Sequence, residues 1–312
     1  MSEPEITPTD ILRRADAVTD GFTDAELARM VRRRELIRLQ RGAYSQAPTV
    51  LPTDGAARHR LVVAATMRGL RAETVASHAS AAAMHGLPVW GIELGRVHVL
   101  RRPPASGSGS ARVHLHVARL PEHELTLVDG ILTTNATRTV VDVARSELFE
   151  SAVVVADHAL ASGHTSFGAL LECLGRMGPV PGTRRAARVL RFASRFSESV
   201  GESRSRVLMH RLRLPTPDLQ VHVLRADGSI VGRCDFGWRA HRTLGEFDGK
   251  VKYGRLVKPG QEPGDVVFQE KRREDELRDL RWQVVRWTWA ELSQPRVLEQ
   301  RLRRAFDRGS HA

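Results

Sequence analysis

The chain has 312 residues, 41% of them hydrophobic, with 48 Lys and Arg against 36 Asp and Glu and a formal net charge of +12 at pH 7. That length suggests two or three domains, and the basic surplus suits an anionic partner, either nucleic acid or an anionic membrane surface. A spanning helix is excluded by the lack of any run of about 20 apolar residues, the polar, acidic N-terminal stretch MSEPEITPTD is not that of a signal peptide, and two distant cysteines, Cys173 and Cys234, fit a reducing, cytoplasmic setting without a disulfide framework.

Residues 1–53 read as a small helical unit closed by a strand pair. Thr23-Asp24-Ala25-Glu26 has the form of a capping box, with Thr23 as N-cap and Glu26 reaching back. The helix after it, AELARMVRRREL, turns Leu27, Met30 or Val31, and Leu36 inward and Arg29, Arg32, Arg33 and Arg34 outward. LIRLQRGAY then alternates into a turn at Arg41-Gly42. A helix with exposed arginines followed by a hairpin is the outline of a winged helix-turn-helix, in which a helix enters the major groove and the wing meets phosphate. Arg32, Arg33, Arg34 and Arg41 are the expected DNA contacts. A merely solvated basic face is the competing reading, although six arginines among residues 29–41 exceed what solubility requires.

The run RELIRLQRGAYSQAP resembles the wing of the N-terminal domain of AbiEi-family antitoxins from type IV toxin–antitoxin systems. That resemblance implies DNA binding and a cognate toxin or defence-system protein as partner.

Residues 54–195 form a middle region of mixed helices and strands. Helices are expected over Asp54 to Gly69, after Ser77 (HASAAAMH, closed by Gly86 and Pro88), and over Thr137 to Arg145 and Glu147 to Ser162. Arg96 to Arg102, Ala111 to Arg119 and Leu125 to Thr133 read as strands. SHASAAAMHGLPVWG and GILTTNATRTVVDVARS resemble the middle part of actinobacterial AbiEi-like proteins. Among the histidines, His78 and His85 would share a helix face, and His114 and His116 a strand face. Zinc would need them to converge with further ligands, and no Cys-x-x-Cys or His-Glu-x-x-His run supports that, so capping and core roles are expected. GRMGPVPG, at 175–182, is turn-rich and a plausible boundary. The basic helix after it, Thr183 to Phe196, carries Arg184, Arg185 and Arg188, candidates for a phosphate backbone or simply for a solvated linker.

Residues 196–312 form the last unit, read as helix, three strands, helix, strand, helix. Residues 176–213 hold ten Arg against two Glu just before an acidic hairpin, CDFGWRAHRTLGEFDGK. Symmetry about the Ala240–His241 bond sets Asp235 opposite Glu246, with Asp248 on the same face. Like charges placed opposite each other repel, and a hard divalent cation such as Mg²⁺ removes the conflict. The competing reading is an edge hairpin with a solvated acidic face. Trp282 to Trp289 is expected to be a buried strand, with its tryptophans in the core rather than on a base-stacking platform.

The element order, with Glu202, Gln220, Asp235-Phe236, Glu246-x-Asp248-Gly249 and Lys271-x-x-x-Asp275-x-x-Leu-Arg278, resembles the restriction-endonuclease-like PD-(D/E)XK superfamily. Within it, the likeness is to a nuclease-like family related to very-short-patch-repair endonucleases. The resemblance implies Mg²⁺ (or Mn²⁺) held by Asp235 and Glu246, with Glu202 binding through water or a second ion. Gln220 would orient substrate or water. Asp248 stands where the superfamily has a lysine, so the catalytic cation is expected from Lys271, with Lys250 and Lys252 next, or Asp248 adds a metal ligand. No phosphate loop or dinucleotide fingerprint appears, so no nucleotide cofactor is expected. The whole reads as an α/β (mixed α+β) protein with a winged-helix-like unit, a mixed middle and a restriction-endonuclease-like αβββαβ(α) domain. It is expected to be a cytoplasmic Mg²⁺-dependent DNA endonuclease serving phage defence or repair, the alternative being a non-catalytic, AbiEi-type DNA-binding regulator.

Overall fold

In a computed structural model of the chain, residues 11–46, 54–70, 73–104, 110–249 and 263–311 are described. They form a mixed α+β structure that divides into two compact units, Met1–Ala193 and Ser194–Ala312.

The first unit begins with β1 (Ile11–Arg13), α1 (Arg14–Thr19), α2 (Asp24–Arg32), β2 (Leu36–Gln40) and β3 (Ala43–Gln46). The capping box forms as expected, with the Glu26 amide donating to Thr23 Oγ1 and the Thr23 amide to Glu26 Oε2. The helix is shorter than its basic run. It ends at Arg32, because Arg33 caps it and Arg34 takes a left-handed φ of +60°. Arg33 and Arg34 therefore stand in the turn that leads to the hairpin, not on the helix face. The strands form a sheet in the order β1-β3-β2.

Next come α3 (Gly55–Met67), β4 (Val75–Ala76), α4 (His78–Met84), β5 (Val97–Arg101), β6 (Val113–Val117), β7 (Leu125–Val128) and β8 (Ile131–Thr134). Their sheet order is β6-β5-β4-β8-β7. The expected strand over 125–133 is a hairpin instead, folded at Asp129-Gly130, both with positive φ. Ile11 and Ala43 share one core with Val63, Ala64, Met84, Val97, Val99 and Ile131. The boundary expected at residue 53 thus divides no core. The boundary expected after residue 195 falls two residues earlier.

Four helices complete this unit: α5 (Ala136–Ser146), α6 (Phe149–Ala161), α7 (Phe167–Met177) and α8 (Thr183–Phe192). The basic α8 is not a linker, since Ala186, Val189 and Leu190 are fully buried against its neighbours.

The second unit follows the expected order. α9 (Val200–Arg211) precedes an antiparallel meander of β9 (Asp218–Leu224), β10 (Ile230–Trp238) and β11 (Thr243–Phe247). α10 (Pro263–Asp279) then crosses to β12 (Gln283–Trp287), which pairs parallel to β11, and α11 (Trp289–Leu292) and α12 (Pro295–Ser310) follow. The sheet order is β12-β11-β10-β9. Leu208, Met209, Phe236, Trp238, Phe247, Val285, Trp287 and the α12 residues Leu298 and Leu302 form one core. Val221, Val223, Cys234 and Leu244 pack with Leu277 of α10 in another. A sheet buried on both faces needs apolar residues at successive positions, and Val284-Val285 supply them. Trp289 departs from its expected place in the strand. Thr288 starts a capping box with Glu291, which ends β12 and leaves Trp289 exposed at the head of α11.

Candidate functional site

The hairpin register sets Phe236 against Gly245 and Trp238 against Thr243, so continuing it by one pair sets Asp235 against Glu246, as the symmetry of the sequence required. On the other side of β10, Leu219 faces Phe236 and Val221 faces Cys234, which brackets Gln220 against Asp235. Across β11, Glu246 pairs with Arg286. Gln220, Asp235, Glu246 and Arg286 therefore make one polar row crossing all four strands.

The row coincides with an irregularity. Gln220 holds a left-handed φ of +52°. On one side of it Leu219 and Phe236 pack in the α9 and α12 core, and on the other Val221 and Cys234 pack in the α10 core. The apolar side chains of the strand pair change faces at Gln220 and Asp235. Backbone held in a sparsely populated region persists where its surroundings fix it, and such residues concentrate at functional sites.

Each member has a definite partner. Glu202, at the head of α9, accepts at Oε2 from Gln220 Nε2 (2.9 Å) and the Glu198 amide (2.9 Å), and at Oε1 from Ser199 Oγ (2.7 Å). Because Nε2 must donate to that carboxylate, Gln220 Oε1 is fixed as the acceptor, and it is buried with no hydrogen-bond partner among the described residues. Asp235 Oδ2 accepts from the Phe247 amide at 2.8 Å. Gly201 lets α9 reach this place, since a Cβ there would land in the Phe247 ring.

Glu246 sits between two guanidinium groups. Arg273 Nη2 of α10 donates to Oε1 at 2.6 Å, and Arg286 Nε donates to Oε2 at 2.8 Å. Burial pushes the Glu246 carboxyl up, but the two arginines outweigh it and hold the group below its usual range. Cys234 Sγ donates to Oε1 at 3.3 Å, and burial beside that carboxylate pushes the thiol up to about 12, so it is no nucleophile.

The α10 cation that lies against Glu246 is Arg273, not the expected Lys271. Two helical residues are about 200° apart, so with Arg273 turned to the sheet, Lys271 faces solvent, where it is exposed. Asp248 lies one residue beyond β11, half-buried, its amide donating to Trp287 O. Lys250 and Lys252 lie outside the described residues. Arg273 and Arg286 are the participants that sequence reasoning missed. Arg286 was legible as the residue after the Val-Val pair in β12, whereas Arg273 was one of several basic residues in a charged helix.

Carboxylate oxygens from Glu202, Asp235 and Glu246, with the orphaned Gln220 Oε1, are the donor set that a hard cation takes, so the residues suit Mg²⁺ in kind and in order across the sheet. The three carboxylates do not gather with mutual separations within 4.8 Å. Among the described residues only His78, His98 and His116, in the first unit, do so. Two arginines neutralise Glu246, and an ion there would share or displace them.

Among the expected DNA contacts, Arg32, Arg33, Arg34, Arg41 and Arg184 are exposed. Arg185 donates to the Arg145 and Ser146 carbonyls at the end of α5, and Arg188 lies 4.5 Å over the Phe149 ring, so both also hold α8 in place.

No protein-family model matches the chain. Two uncharacterized proteins of Mycobacterium tuberculosis, MT2308 of strain CDC 1551 and Rv2248 of strain H37Rv, are each 30% identical to it over 190 residues, 59% of this chain. The chain spans 65% of the length of these curated relatives. The crystal structure of the RV2827C protein from the same organism aligns with a TM-score of 0.38 and 16% identity, over 69% of this chain and 83% of that one. No helix among the described residues is long and apolar enough to cross a membrane.

Proposed function

We propose that the protein is a cytoplasmic, Mg²⁺-dependent endonuclease acting on DNA, with its phosphodiester site on the polar row of the second unit. The observation that carries this reading is the alignment of Gln220, Asp235 and Glu246 on three adjacent strands, with Glu202 bonded to the first of them. The row lies between the two apolar cores of the unit, where polar groups are costly unless hydrogen-bonded, and Gln220 Oε1 has no hydrogen-bond partner among the described residues. Asp235 and Glu246 would hold the ion and Glu202 would complete its shell. When bound, Mg²⁺ polarises a phosphoryl oxygen and lowers the pKa of its water. Gln220 Oε1 is the acceptor that would orient that water. Arg273 and Arg286 would meet the charge that develops on the phosphate. The exposed arginines of α2 and the β2–β3 turn would supply sequence-independent affinity for the duplex.

One observation favours a second reading. Glu246 is already neutralised by two arginines, and a site so paired can persist as structure after catalysis is lost. The protein would then be a DNA-binding regulator of the antitoxin kind, with a cognate toxin or defence-system protein as partner. Supercoiled plasmid incubated with the untagged chain and Mg²⁺ or Mn²⁺ separates the two. Nicking or linearisation that disappears in Asp235→Asn supports the endonuclease. A salt-sensitive gel shift without cleavage, across both metals and both single- and double-stranded substrates, leaves the regulator.

A further inference from the structure

Four histidines of the first unit meet on one face of its sheet. β5 and β6 run parallel with His98 beside His114 and Leu100 beside His116, so the three imidazoles share that face. His78, the first residue of α4, stacks on His116 with ring centroids 3.6 Å apart. His114 stacks on the other side of His116 at 4.3 Å and lies at the exposed rim. The ligand nitrogens of His78, His98 and His116 all lie within 4.8 Å of one another.

A core does not need this arrangement. Imidazoles are polar, and neighbouring ones compete for protons. His98 Nδ1 and His116 Nε2 are 3.1 Å apart, and one proton must serve both nitrogens. Two imidazoles on a tetrahedral zinc ion, with Zn–N of about 2.0–2.1 Å, place their nitrogens about 3.3 Å apart, close to what is seen. The supporting contacts point the same way. Metal-bound imidazoles commonly have their second nitrogen held by a neighbour, and His78 Nδ1 is 3.0 Å from Ser77 Oγ, which leaves Nε2 for the cluster. His78 holds a left-handed φ of +50°, an uncommon conformation for a non-glycine residue. Ser80 Oγ accepts from the His98 amide at 2.8 Å and bonds His59 Nε2 at 2.9 Å, which fixes the strand beneath the helix.

We propose that His78, His98 and His116 form a binding site for a zinc-class divalent metal ion, with three imidazole nitrogens as ligands and the position toward His114 open. The neutral imidazole is the form that binds metal. Because His78 and His116 are nearly parallel, at 13°, closing around the ion requires one ring to turn about χ2, a soft torsion for an aromatic side chain. An open fourth position is the arrangement of zinc sites that bind water or substrate rather than of closed structural ones.

The test uses the full-length chain without a histidine tag, stripped with EDTA and then dialysed against Zn²⁺ or Co²⁺. One ion per chain is expected, with a tetrahedral cobalt band in the visible spectrum. His114→Ala should keep that stoichiometry, and the double variant His98→Ala/His116→Ala should lose it. Should the double variant fail to fold, histidine ring ¹⁵N shifts of the unmutated chain replace it, and zinc must shift the nitrogens of these three rings and not those of His123. No stoichiometric binding, or equal binding by a folded double variant, overturns the proposal. So does a titration in which these three rings do not respond.

Discussion

Glu246→Ala is the sharpest perturbation of the second unit. The side chain is 14% exposed, and its two partners, Arg273 and Arg286, are 22% and 33% exposed. Removing one partner of a buried pair typically costs about 3–5 kcal/mol, because the remaining charge is left uncompensated. Two features reduce that here. Arg286 keeps a second partner, Glu274 Oε2 at 3.0 Å, and both guanidinium groups reach some water. The cost should therefore fall to about 2 kcal/mol. Urea denaturation at pH 7, followed by tryptophan fluorescence, measures it directly, since Trp238 and Trp287 lie in the core of this unit. The double variant Glu246→Ala/Arg273→Ala should recover about 1 kcal/mol of the loss, the coupling expected of residues in contact. The pH dependence has a definite sign. The folded carboxyl lies below its ordinary 4.5, so its contribution is present above that pH and is lost as pH falls through the lower folded value. The gap between wild type and variant should accordingly be constant from pH 7 to 5 and close below about pH 4. A variant within about 0.5 kcal/mol of wild type at pH 7, the range of ordinary surface substitutions, would refute the arginine clamp.

In the first unit, Arg138 is buried and bridges Glu124 (2.6 Å) and Asp142 (2.9 Å). Arg138→Met removes the buried partner of both carboxylates, which keep Arg176 (3.3 Å to Glu124) and Arg145 (3.2 Å to Asp142). It should cost about 2–3 kcal/mol rather than the full cost of a stranded charge, read as a drop in denaturation midpoint, and a change below about 0.5 kcal/mol would sink that account. Gly201→Ala should cost at least about 1–3 kcal/mol through overpacking against Phe247, and an unchanged melting temperature would show that α9 can withdraw freely. Asp235→Asn keeps an acceptor for the Phe247 amide and should melt within about 1 kcal/mol of wild type, whereas Asp235→Ala should lose more; equal melting of the two would mean that the hydrogen bond contributes nothing. His98 and His116 have folded values of about 4 and about 3, below their ordinary 6.5, so without metal the first unit should lose stability as pH falls from 6.5 toward 4. The slope should lessen in His98→Gln, and a flat profile in wild type would contradict the buried neutral rings.

Much of the second unit was legible because strand period and turn position act locally. Alternation on both sides of residues 239–242, with a hairpin symmetric about Ala240–His241, gave the Asp235–Glu246 pairing, and the adjacent valines before Arg286 marked a strand buried on both faces. The tertiary partner of Glu246 was not legible. Whether Lys271 or Arg273 faces the sheet depends on the rotation of α10, and only Leu277, buried four residues after Arg273, settles it. The histidine cluster was hidden for a related reason. Sequence spacing paired His78 with His85, but His85 Nε2 donates to the Thr134 carbonyl, 2.7 Å away, while the partners of His78 come from strands 20 and 38 residues later. The shared core of the first unit was equally invisible, because Ile11 and Ala43 read as parts of a self-contained N-terminal unit until α3 is laid on them.

The face exchange at Gln220 and Asp235 carries a structural cost, a left-handed backbone at a glutamine and a buried acceptor without a hydrogen-bond partner among the described residues. A regular pair of strands would keep Leu219, Val221, Cys234 and Phe236 on one face and need no positive φ at a glutamine. Instead the apolar residues are divided between two cores, and the polar residues between them are brought to the point where the faces change. Sequences that specify a stable sheet avoid such conflicts, and departures from local consistency concentrate where function requires them. Gln220→Gly offers a direct way to weigh the two. Glycine removes the strain of the left-handed backbone, worth about 1 kcal/mol, and also removes the side chain that bonds Glu202 at 2.9 Å. If the exchange serves chemistry, the variant should fold with near-wild-type stability and lose plasmid cleavage. If stability falls by more than about 2 kcal/mol, the Gln220–Glu202 bond is a structural brace and the row needs no substrate to explain it.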